Sequence, residues 1–444
     1  MNSDSGRKYD SLWTSRRLLV MGLLFGASLI NYVDRVNLSV AAPAIAKDFG
    51  WNPATMGILL SSFLWTYSAA LIPVGWLTDK LGARKMNALA ISFWSTAGMC
   101  TGLATGFWMM LTSRLALGLG EAPTLPSALK VVRQWFTIQE RGLATALARS
   151  GGEAGPAIGM PLVALLIVRF GWRLSFLITG LVGFTWVIFW LKYFHDKPHD
   201  SSFLSAEEKS YIAANTDSGR KIDARRAPGG SVGLLLRSKT MWGLAISHGL
   251  IVYTYYLILT WLPSYLVQVK HMHLMGASLL SSAAFASGWV LSIAIGKLSD
   301  MVLTPEKVLS GQRRTMVIIF AAGASIFMAT TVLDNLLAVF LVVSMAKAFV
   351  PTAMGLNMAL TNDLVRDPAY SATAASILLF GGNSFGSLAP IVTGYIVKAT
   401  GSFDAAFILA GMLTITGALI SFFMTRQPIG ARAAKSHIAP GVAG

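Results

Sequence analysis

Long apolar runs dominate this chain and constrain its fold more than any other feature. Runs bounded by charged or turn residues form twelve segments of about 20 residues, the length needed to cross roughly 30 Å of hydrocarbon. They cover 18–40, 56–77, 86–104, 108–130, 142–168 and 172–193 in the first half, and 241–267, 275–298, 315–333, 336–362, 371–397 and 403–425 in the second. Only 13% of the residues are charged, whereas soluble domains average about 25%. We therefore expect an all-α integral membrane protein with twelve transmembrane helices.

The positive charge of the chain sets its expected orientation. There are 36 Lys and Arg residues against 20 Asp and Glu. If the N-terminus is cytoplasmic, the inside segments carry 26 basic residues, and the outside loops carry five, which are Lys47, Arg169, Arg173, Lys270 and Lys398. Cytoplasmic loops of membrane proteins concentrate Lys and Arg. This asymmetry predicts that both termini are cytoplasmic, and it accounts for the basic excess without a nucleic-acid partner.

A short string recurs at half-chain spacing. Gly75-Trp76-Leu77-Thr78-Asp79 follows the second run, and Gly296-Lys297-Leu298-Ser299-Asp300 follows the eighth run, 221 residues later. Equivalent placement of one string indicates two six-helix repeats related by an axis along the membrane normal. The predicted organisation is a cytoplasmic tail 1–17, an N-terminal bundle 18–193, a cytoplasmic linker 194–240 with a short helix near 205–214, a C-terminal bundle 241–425 and a cytoplasmic tail 426–444.

Several motifs resemble those of a known family. The string 75–85 matches the loop motif G-x-L-x-D-[RK]-x-G-x-[RK]-[RK] of the major facilitator superfamily position by position. The strings 31–41 and 114–123 are similar to those of its anion:cation symporter family, which includes bacterial sugar-acid and aromatic-acid importers and vesicular organic-anion transporters. The resemblance covers essentially the whole chain, including 134–142 and 261–266. It implies the two-bundle fold of that superfamily and an organic anion as substrate.

Ionisable residues inside the predicted spans are the first functional candidates, because a charge in hydrocarbon is costly. They are Asp34, Arg35, Arg114, Glu121, Glu153 and Lys347. Asn31, Asp34 and Arg35 share one helical face, and Arg114 and Glu121 share another. Arginine binds a carboxylate through two parallel hydrogen bonds, so Arg35 or Arg114 is the natural anchor for an anion.

The same residues offer a way to couple an anion to protons. Low dielectric favours the neutral form of a carboxylic acid, whereas a neighbouring arginine favours the ionised form. A proton on the acid would therefore release the arginine to substrate, and loss of that proton would help to eject the anion. The resemblance implies Arg35 on the substrate, Asp34 and Glu121 in proton coupling, and Arg114 paired near Glu121. Structural ion pairs that lock the helices together are the alternative.

Further polar residues are candidates for the substrate site. By resemblance, Tyr32, Tyr67, Tyr256 and Asn383 occupy substrate-facing positions, although each also suits simple packing. His248 is the most individual feature, because it could titrate near neutral pH or donate to a substrate oxygen. Sugar-acid importers of this family tend to carry Gln at the position of His248. An aromatic or less hydroxylated carboxylate is therefore as well supported as a sugar acid.

Gating residues are expected at the loop motifs and in the fifth span. Asp79, Arg84 and Asp300 belong to the repeated loop motif. Glu153 follows Arg149 by one helical turn, which favours an internal pair or a gating contact with the other half. Lys347 could pair with an acid, but the sequence assigns it no role. His271 and His273 lie without nearby Cys or carboxylate, so we expect no metal site.

The sequence therefore predicts a secondary transporter of the bacterial cytoplasmic membrane and not an enzyme, since no nucleophile, base and acid arrangement is found. It should import an organic carboxylate by proton symport through alternating access, as a monomer in the lipid bilayer. The proton gradient drives it, and no cofactor is expected. An exchanger or facilitator without proton coupling is the alternative within transport, and a non-transporting sensor is the alternative outside it.

Overall fold

We analysed a computed structural model of the chain, which describes residues 15–216, 232–367 and 370–429. Helices make up nearly all of these ranges. The first half contains α1 Arg17–Phe49, α2 Pro53–Leu81, α3 Ala83–Gly102, α4 Phe107–Glu121, α5 Thr124–Trp135 and α6 Arg141–Tyr193. The linker contains α7 Ala206–Asn215, where the sequence predicted a short helix. The second half contains α8 Val232–Leu236, α9 Lys239–Gln268, α10 Leu274–Val302, α11 Pro305–Leu309, α12 Gln312–Gly323, α13 Leu336–Leu364, α14 Ser371–Thr400 and α15 Asp404–Met424.

Within the described ranges, nine helices are long and apolar enough to cross a membrane. They are α1, α2, α6, α9, α10, α12 with the 3-10 turn Ala324–Thr331 that continues it, α13, α14 and α15. Helix α3 carries two basic residues in its first turn, and α4 has only 15 residues. The chain is therefore a multi-pass helical membrane protein, and the count of twelve spans stays a prediction.

Helix α6 reverses direction at Gly171, so it consists of two antiparallel arms. Gly171 has φ 82° and ψ 162°, a conformation that favours glycine. Along the first arm, later residues contact later residues of α1. Along the second arm, later residues contact earlier residues of α1. The contacts, with the α1 residue first, are Phe25 to Gly151, Val36 to Gly159, Leu23 to Trp186 and Asn37 to Ser175. The sequence had placed two separate spans here, on either side of 169–171.

The predicted fourth span, 108–130, is not one continuous helix. Helix α4 ends at Glu121 and α5 begins at Thr124, because Pro123 has no N–H to continue the hydrogen-bond ladder. The hydroxyl of Thr124 donates to the backbone carbonyl of Glu121 at 2.8 Å. The break places the side chain of Glu121 at a helix end, where it is fully buried.

The two halves pack through three helix pairs, α2 with α14, α6 with α10, and α1 with α9. Small residues allow the first pair to approach closely. A Cβ added to Gly57 would lie 2.4 Å from the carbonyl oxygen of Pro390, and one added to Gly394 would lie 2.4 Å from that of Pro53. Helices α2 and α10 carry the two copies of the repeated string, so the pairs α2–α14 and α10–α6 are equivalent under exchange of the halves.

Hydrogen bonds between the halves lie in the middle of the bundle and at one end. We call this the far end, where α1 ends and α2 begins; the opposite linker end holds residues 194–216. The hydroxyl of Ser39 donates to the carbonyls of Leu259 and Thr260 at 2.9 and 2.7 Å. Ser61 donates to the carbonyl of Ser387, and Ser282 to that of Ala157. At the linker end, by contrast, Trp76 and Met301 are exposed.

A buried ionic network ties the linker to the first half. Arg17 is fully buried and binds both carboxylate oxygens of Glu140, at 2.6 and 3.0 Å. Its Nε also lies 3.8 Å from Glu208 in α7. The hydroxyl of Ser15 donates to the same Glu208 carboxylate. The start of α1, the connection between α5 and α6, and the linker helix are thus held together around one guanidinium.

Candidate functional site

Arg35 and Glu121 form a buried ion pair between α1 and α4. The Nε of Arg35 donates to Oε2 of Glu121 at 2.8 Å, and both side chains are almost completely buried. Among the described residues, no hydrogen bond engages the two Nη nitrogens of Arg35. The pair therefore uses one edge of the guanidinium and leaves the bidentate edge for another acceptor.

Aromatic rings surround the same guanidinium. The Cζ atom of Arg35 lies 4.6 Å from the ring centroid of Tyr32, 4.9 Å from that of Phe63 and 5.0 Å from that of Tyr67. Rings at this distance attract a cation and shield it from water. Tyr32 and Tyr67 were predicted here. Phe63 was not, although it lies one helical turn before Tyr67 and therefore shares its face.

Asp34 and Arg114 complete a buried cluster of two acids and two bases. Electrostatic interactions link Arg114 to Asp34, Glu121 and Arg35. Besides the Nη nitrogens of Arg35, four further polar atoms of the cluster find no hydrogen-bond partner among the described residues: Oδ2 of Asp34, Oε1 of Glu121, and Nε and Nη1 of Arg114. Buried polar atoms of native proteins are usually paired, so this group of buried charges is a candidate binding site.

The partner of Glu121 differs from the one that the resemblance implied. Arg114 lies near Glu121, but the hydrogen-bonded partner is Arg35 from the neighbouring helix. Helix α4 ends at Glu121, and the carboxylate of Glu121 points toward Arg35 of α1. The ion pair is therefore formed between two helices and not within one.

Of the second-half candidates Tyr256, His248 and Asn383, the structure connects Tyr256 to the residues around Arg35. The ring of Tyr256 is 6.5 Å from that of Phe63, centroid to centroid, which connects α9 to the aromatic group around Arg35. Glycines of α14 bring that helix close, because a Cβ at Gly386 would lie 2.6 Å from Tyr256 and one at Gly382 would lie 2.9 Å from His248. His248 is buried with Nδ1 unpartnered among the described residues, and Asn383 is half-buried next to Gly382.

Glu153 contacts the other half. Its carboxylate lies 3.5 Å from Nζ of Lys347, which belongs to α13. Of the two arrangements that the sequence left open, an internal pair with Arg149 or a contact across the halves, the structure contains the second. Arg149 is exposed. Lys347, to which the sequence gave no role, is fully buried.

The predicted gating residues of the first loop motif have local partners. Asp79 is 82% exposed and lies 3.5 Å from Nζ of Lys130 in α5. The carboxylate of Asp196 accepts from the backbone N–H of Arg84 at 3.0 Å, which satisfies the start of α3. It also approaches Gly82, whose φ of 82° and lack of Cβ permit the contact. The side chain of Asp300 lies outside the described residues, and the gating roles stay predictions.

A helical membrane protein with two halves that meet around buried charges has the architecture of a membrane transporter. The chain belongs to the Major Facilitator Superfamily, whose model matches residues 24–308. The chain is thus a transporter and not an enzyme.

Two relatives and one solved structure illustrate the likeness. The "Probable L-galactonate transporter" of Escherichia coli K12 is 32% identical over 92% of this chain and 89% of its own. The "Probable sulfoacetate transporter SauU" of Cupriavidus necator is 30% identical over 92% and 94%. A crystal structure of a bacterial homolog to the human lysosomal transporter Spinster, in an inward-facing and occupied conformation, superposes with a TM-score of 0.75 at 17% identity, over 93% of this chain and 97% of that one. The predicted superfamily and fold are confirmed.

Proposed function

We propose that this transporter imports a small organic acid together with protons across the bacterial cytoplasmic membrane. The observation that carries the proposal is the buried cluster of Asp34, Arg35, Arg114 and Glu121. Arg35 anchors the substrate carboxylate through its Nη nitrogens, and Glu121 and Asp34 carry the protons. The names of the two relatives support a carboxylate substrate, because L-galactonate and sulfoacetate each contain one.

Charge balance explains the coupling. With all four residues ionised the cluster is neutral, and a proton on either acid leaves one positive charge. A net charge is costly in a low-dielectric site. One substrate carboxylate restores neutrality, so proton and anion each favour the binding of the other. Protonation of Glu121 also releases the Nε edge of Arg35, which strengthens its hold on the substrate.

Alternating access gives the direction of transport. With both termini in the cytoplasm, the far end faces outward, and the contacts of Ser39, Ser61 and Ser282 close that side. The site then opens toward the linker end. Rocking of one half against the other would exchange these contacts for new ones near the repeated loop motifs. We expect a monomer to carry out the cycle, without metal or cofactor.

Uptake into proteoliposomes tests the proposal. The purified protein would be reconstituted and supplied with radiolabelled D-gluconate, sulfoacetate or 4-hydroxybenzoate, with the outside solution acidic. We expect accumulation above the external concentration, abolished by a protonophore. Uptake that reaches equilibrium and ignores the pH gradient would instead indicate an exchanger or facilitator. Binding of a ligand without any uptake would indicate a sensor.

A further inference from the structure

A second buried ion pair bridges the two halves. Lys347 of α13 reaches Glu153 of α6, with 3.5 Å between Nζ and Oε2. The two residues are 194 positions apart and belong to different halves of the molecule. Their side chains differ in burial, because that of Lys347 is fully buried and that of Glu153 is 24% exposed.

The position of Lys347 is fixed by its neighbours. Helix α10 packs directly on it, since a Cβ added to Gly288 would lie 2.5 Å from Cβ of Lys347. One turn away, Ser287 donates to Ser344 at 2.9 Å and joins the same two helices. The ammonium group lies 4.3 Å from the ring centroid of Tyr255 and 4.1 Å from that of Phe285. The lysine stem is thus enclosed, and its charge is held where the halves meet.

The pair itself is open to exchange. Charge-assisted N–H···O bonds are usually about 2.7–2.9 Å long, so a separation of 3.5 Å marks a loose contact. Glu153 is partly exposed and can turn to water with its charge intact. Lys347 is fully buried, so its ammonium group cannot turn to water. Another anionic group that replaced Glu153 would therefore keep the buried ammonium paired.

Tyr32 connects this pair to the substrate anchor. The Tyr32 ring lies 4.6 Å from the guanidinium of Arg35. A Cβ at Gly152, which precedes Glu153 in α6, would be 3.0 Å from Cε2 of the same ring. Tyr32 interacts electrostatically with both Arg35 and Glu153. Tyr32 therefore contacts the guanidinium of Arg35 and also packs on the turn of α6 that carries Glu153, the partner of Lys347.

We infer that Lys347 is a second anion subsite and that the preferred substrates carry two negative groups. A carboxylate binds Arg35, and a second carboxylate or a sulfonate at the other end of the molecule binds Lys347 in place of Glu153. This inference deepens the proposed function and rests on it. The two relatives are named for acids with one and with two negative groups, L-galactonate and sulfoacetate. A cationic Lys347 would favour acids of the second kind.

Matched ligand pairs test the subsite. Each pair has the same skeleton and differs by one anionic group: D-gluconate and D-glucarate, glycolate and sulfoacetate, 4-hydroxybenzoate and terephthalate. Binding to the full-length protein in detergent would be measured by calorimetry. For at least one pair we expect the dianion to bind about tenfold more tightly, as one additional charge-assisted hydrogen bond predicts.

The affinity for the dianion divided by that for the matched monoanion is the ratio to follow. Two variants at the Glu153–Lys347 pair should change this ratio in opposite directions. In Lys347→Met with Glu153→Gln, both charges are gone and no unpaired charge is left buried, so the ratio should fall to about one while monoanion affinity changes little. In Glu153→Gln alone, Lys347 loses its competitor, so the ratio should rise several-fold. Lys270→Met is the matched control, because Lys270 is paired with Asp334 in a loop at the far end, and it should leave the ratio unchanged.

The outcomes separate the subsite from the transport function. If monoanions and dianions bind equally well to the wild type, or if the ratio survives in the double variant, Lys347 is only a structural contact and the proposed function stands. A pair that merely held the halves together would lower the unfolding temperature on removal without moving the ratio. If no acid of any pair binds, the proposed function and the subsite are both wrong.

Discussion

In the proposed mechanism, Glu121 and the substrate carboxylate compete for Arg35. Glu121 holds its Nε edge at 2.8 Å, and the aromatic rings of Tyr32, Phe63 and Tyr67 hold the plane of its guanidinium. Because both its Nε edge and its plane are fixed, the guanidinium is preorganised for a planar ligand. A carboxylate that binds its Nη nitrogens therefore costs little conformational entropy. For the proposed anchor, this arrangement favours an arginine over a lysine.

Removal of Arg35 should abolish anion binding. Because Arg35→Ala alone would leave Glu121 buried and unpaired, the variant to test is Arg35→Ala with Glu121→Gln, compared with Glu121→Gln alone. We expect the affinity for carboxylates to fall by roughly 100-fold or more, as for the loss of a bidentate charge-assisted contact. Calorimetry measures the change, and Arg173→Ala, at an exposed far-end arginine, is the control. Survival of binding in the double variant would contradict the assignment of Arg35.

Glu121→Gln should mimic the protonated transporter. The amide cannot release a proton, so substrate should still exchange across the membrane while accumulation driven by a pH gradient is lost. Counterflow and gradient-driven uptake in the same proteoliposomes measure the two activities. Asp48→Asn changes a half-exposed far-end acid and should leave both intact. Undiminished accumulation in Glu121→Gln would exclude this residue from proton coupling.

Sequence reasoning found the charged residues but not their partners. An intramembrane charge is conspicuous because of its cost, and this alone singled out Asp34, Arg35, Arg114 and Glu121. The partner of a charge depends on how helices pack, so neither the Arg35–Glu121 pair nor the contact between Glu153 and Lys347 was readable from spacing. Phe63 was not predicted as a site residue, because an apolar residue within an apolar run costs nothing in the membrane and is not conspicuous in the sequence.

At the scale of helices, the close packing of α2 on α14 at the far end is expected to govern whether that end is closed. In Gly57→Ala, the new methyl group would lie 2.4 Å from the carbonyl oxygen of Pro390, a backbone atom that cannot turn aside. The helices must therefore separate, and the far end should spend more time open. Gly75→Ala is the matched control on the same helix, because nothing lies within 4 Å of its added methyl group.

Distances between spin labels measure this opening. Exposed Lys47 of α1 and Lys398 of α14 lie at the far end in different halves, and both can be labelled after Cys100→Ser removes the native cysteine. We expect Gly57→Ala to shift the distance distribution to longer values and Gly75→Ala to leave it unchanged. Equal distributions for both variants would mean that this contact does not govern closure.

Helix boundaries were predictable where the sequence breaks its apolar pattern, and less so elsewhere. The predicted end of the second run at 77 lies four residues before the end of α2 at Leu81, where Gly82 of the loop motif follows. The break between α4 and α5 was missed, since the apolar pattern runs on through Pro123 while the backbone does not. The 3-10 turn that ends the α12 segment has no sequence mark that distinguishes it from the α-helix before it.

At the scale of the whole molecule, Arg17 holds three distant parts of the chain together. Arg17→Gln should leave Glu140 and Glu208 without their shared cation, and should lower the free energy of unfolding by about 3 kcal/mol, as for a broken buried ion pair. Thermal unfolding in detergent measures the effect. Arg16→Gln is the control, because the neighbouring Arg16 is exposed, and it should cost much less. Equal losses in the two variants would show that the buried network adds no stability.

The repeat in the sequence anticipated which helices are equivalent, and the contacts between the halves follow that equivalence. The string at 75–79 and its copy at 296–300 relate α2 to α10, and these two helices make the corresponding contacts with α14 and α6. The end at which the halves touch was not predictable. A transporter must adopt contacts at both ends in turn, so one sequence encodes both and favours neither by its pattern.

The reversal at Gly171 also has a consequence for biosynthesis. The two arms of α6 are joined by a single glycine, so no polar loop separates them as they leave the ribosome. At synthesis rates of about 5–20 residues per second, the second arm is complete within a few seconds of the first. The two arms are therefore expected to enter the bilayer as one preformed hairpin, after α1 and α3, on which they pack, but before α10 has been made.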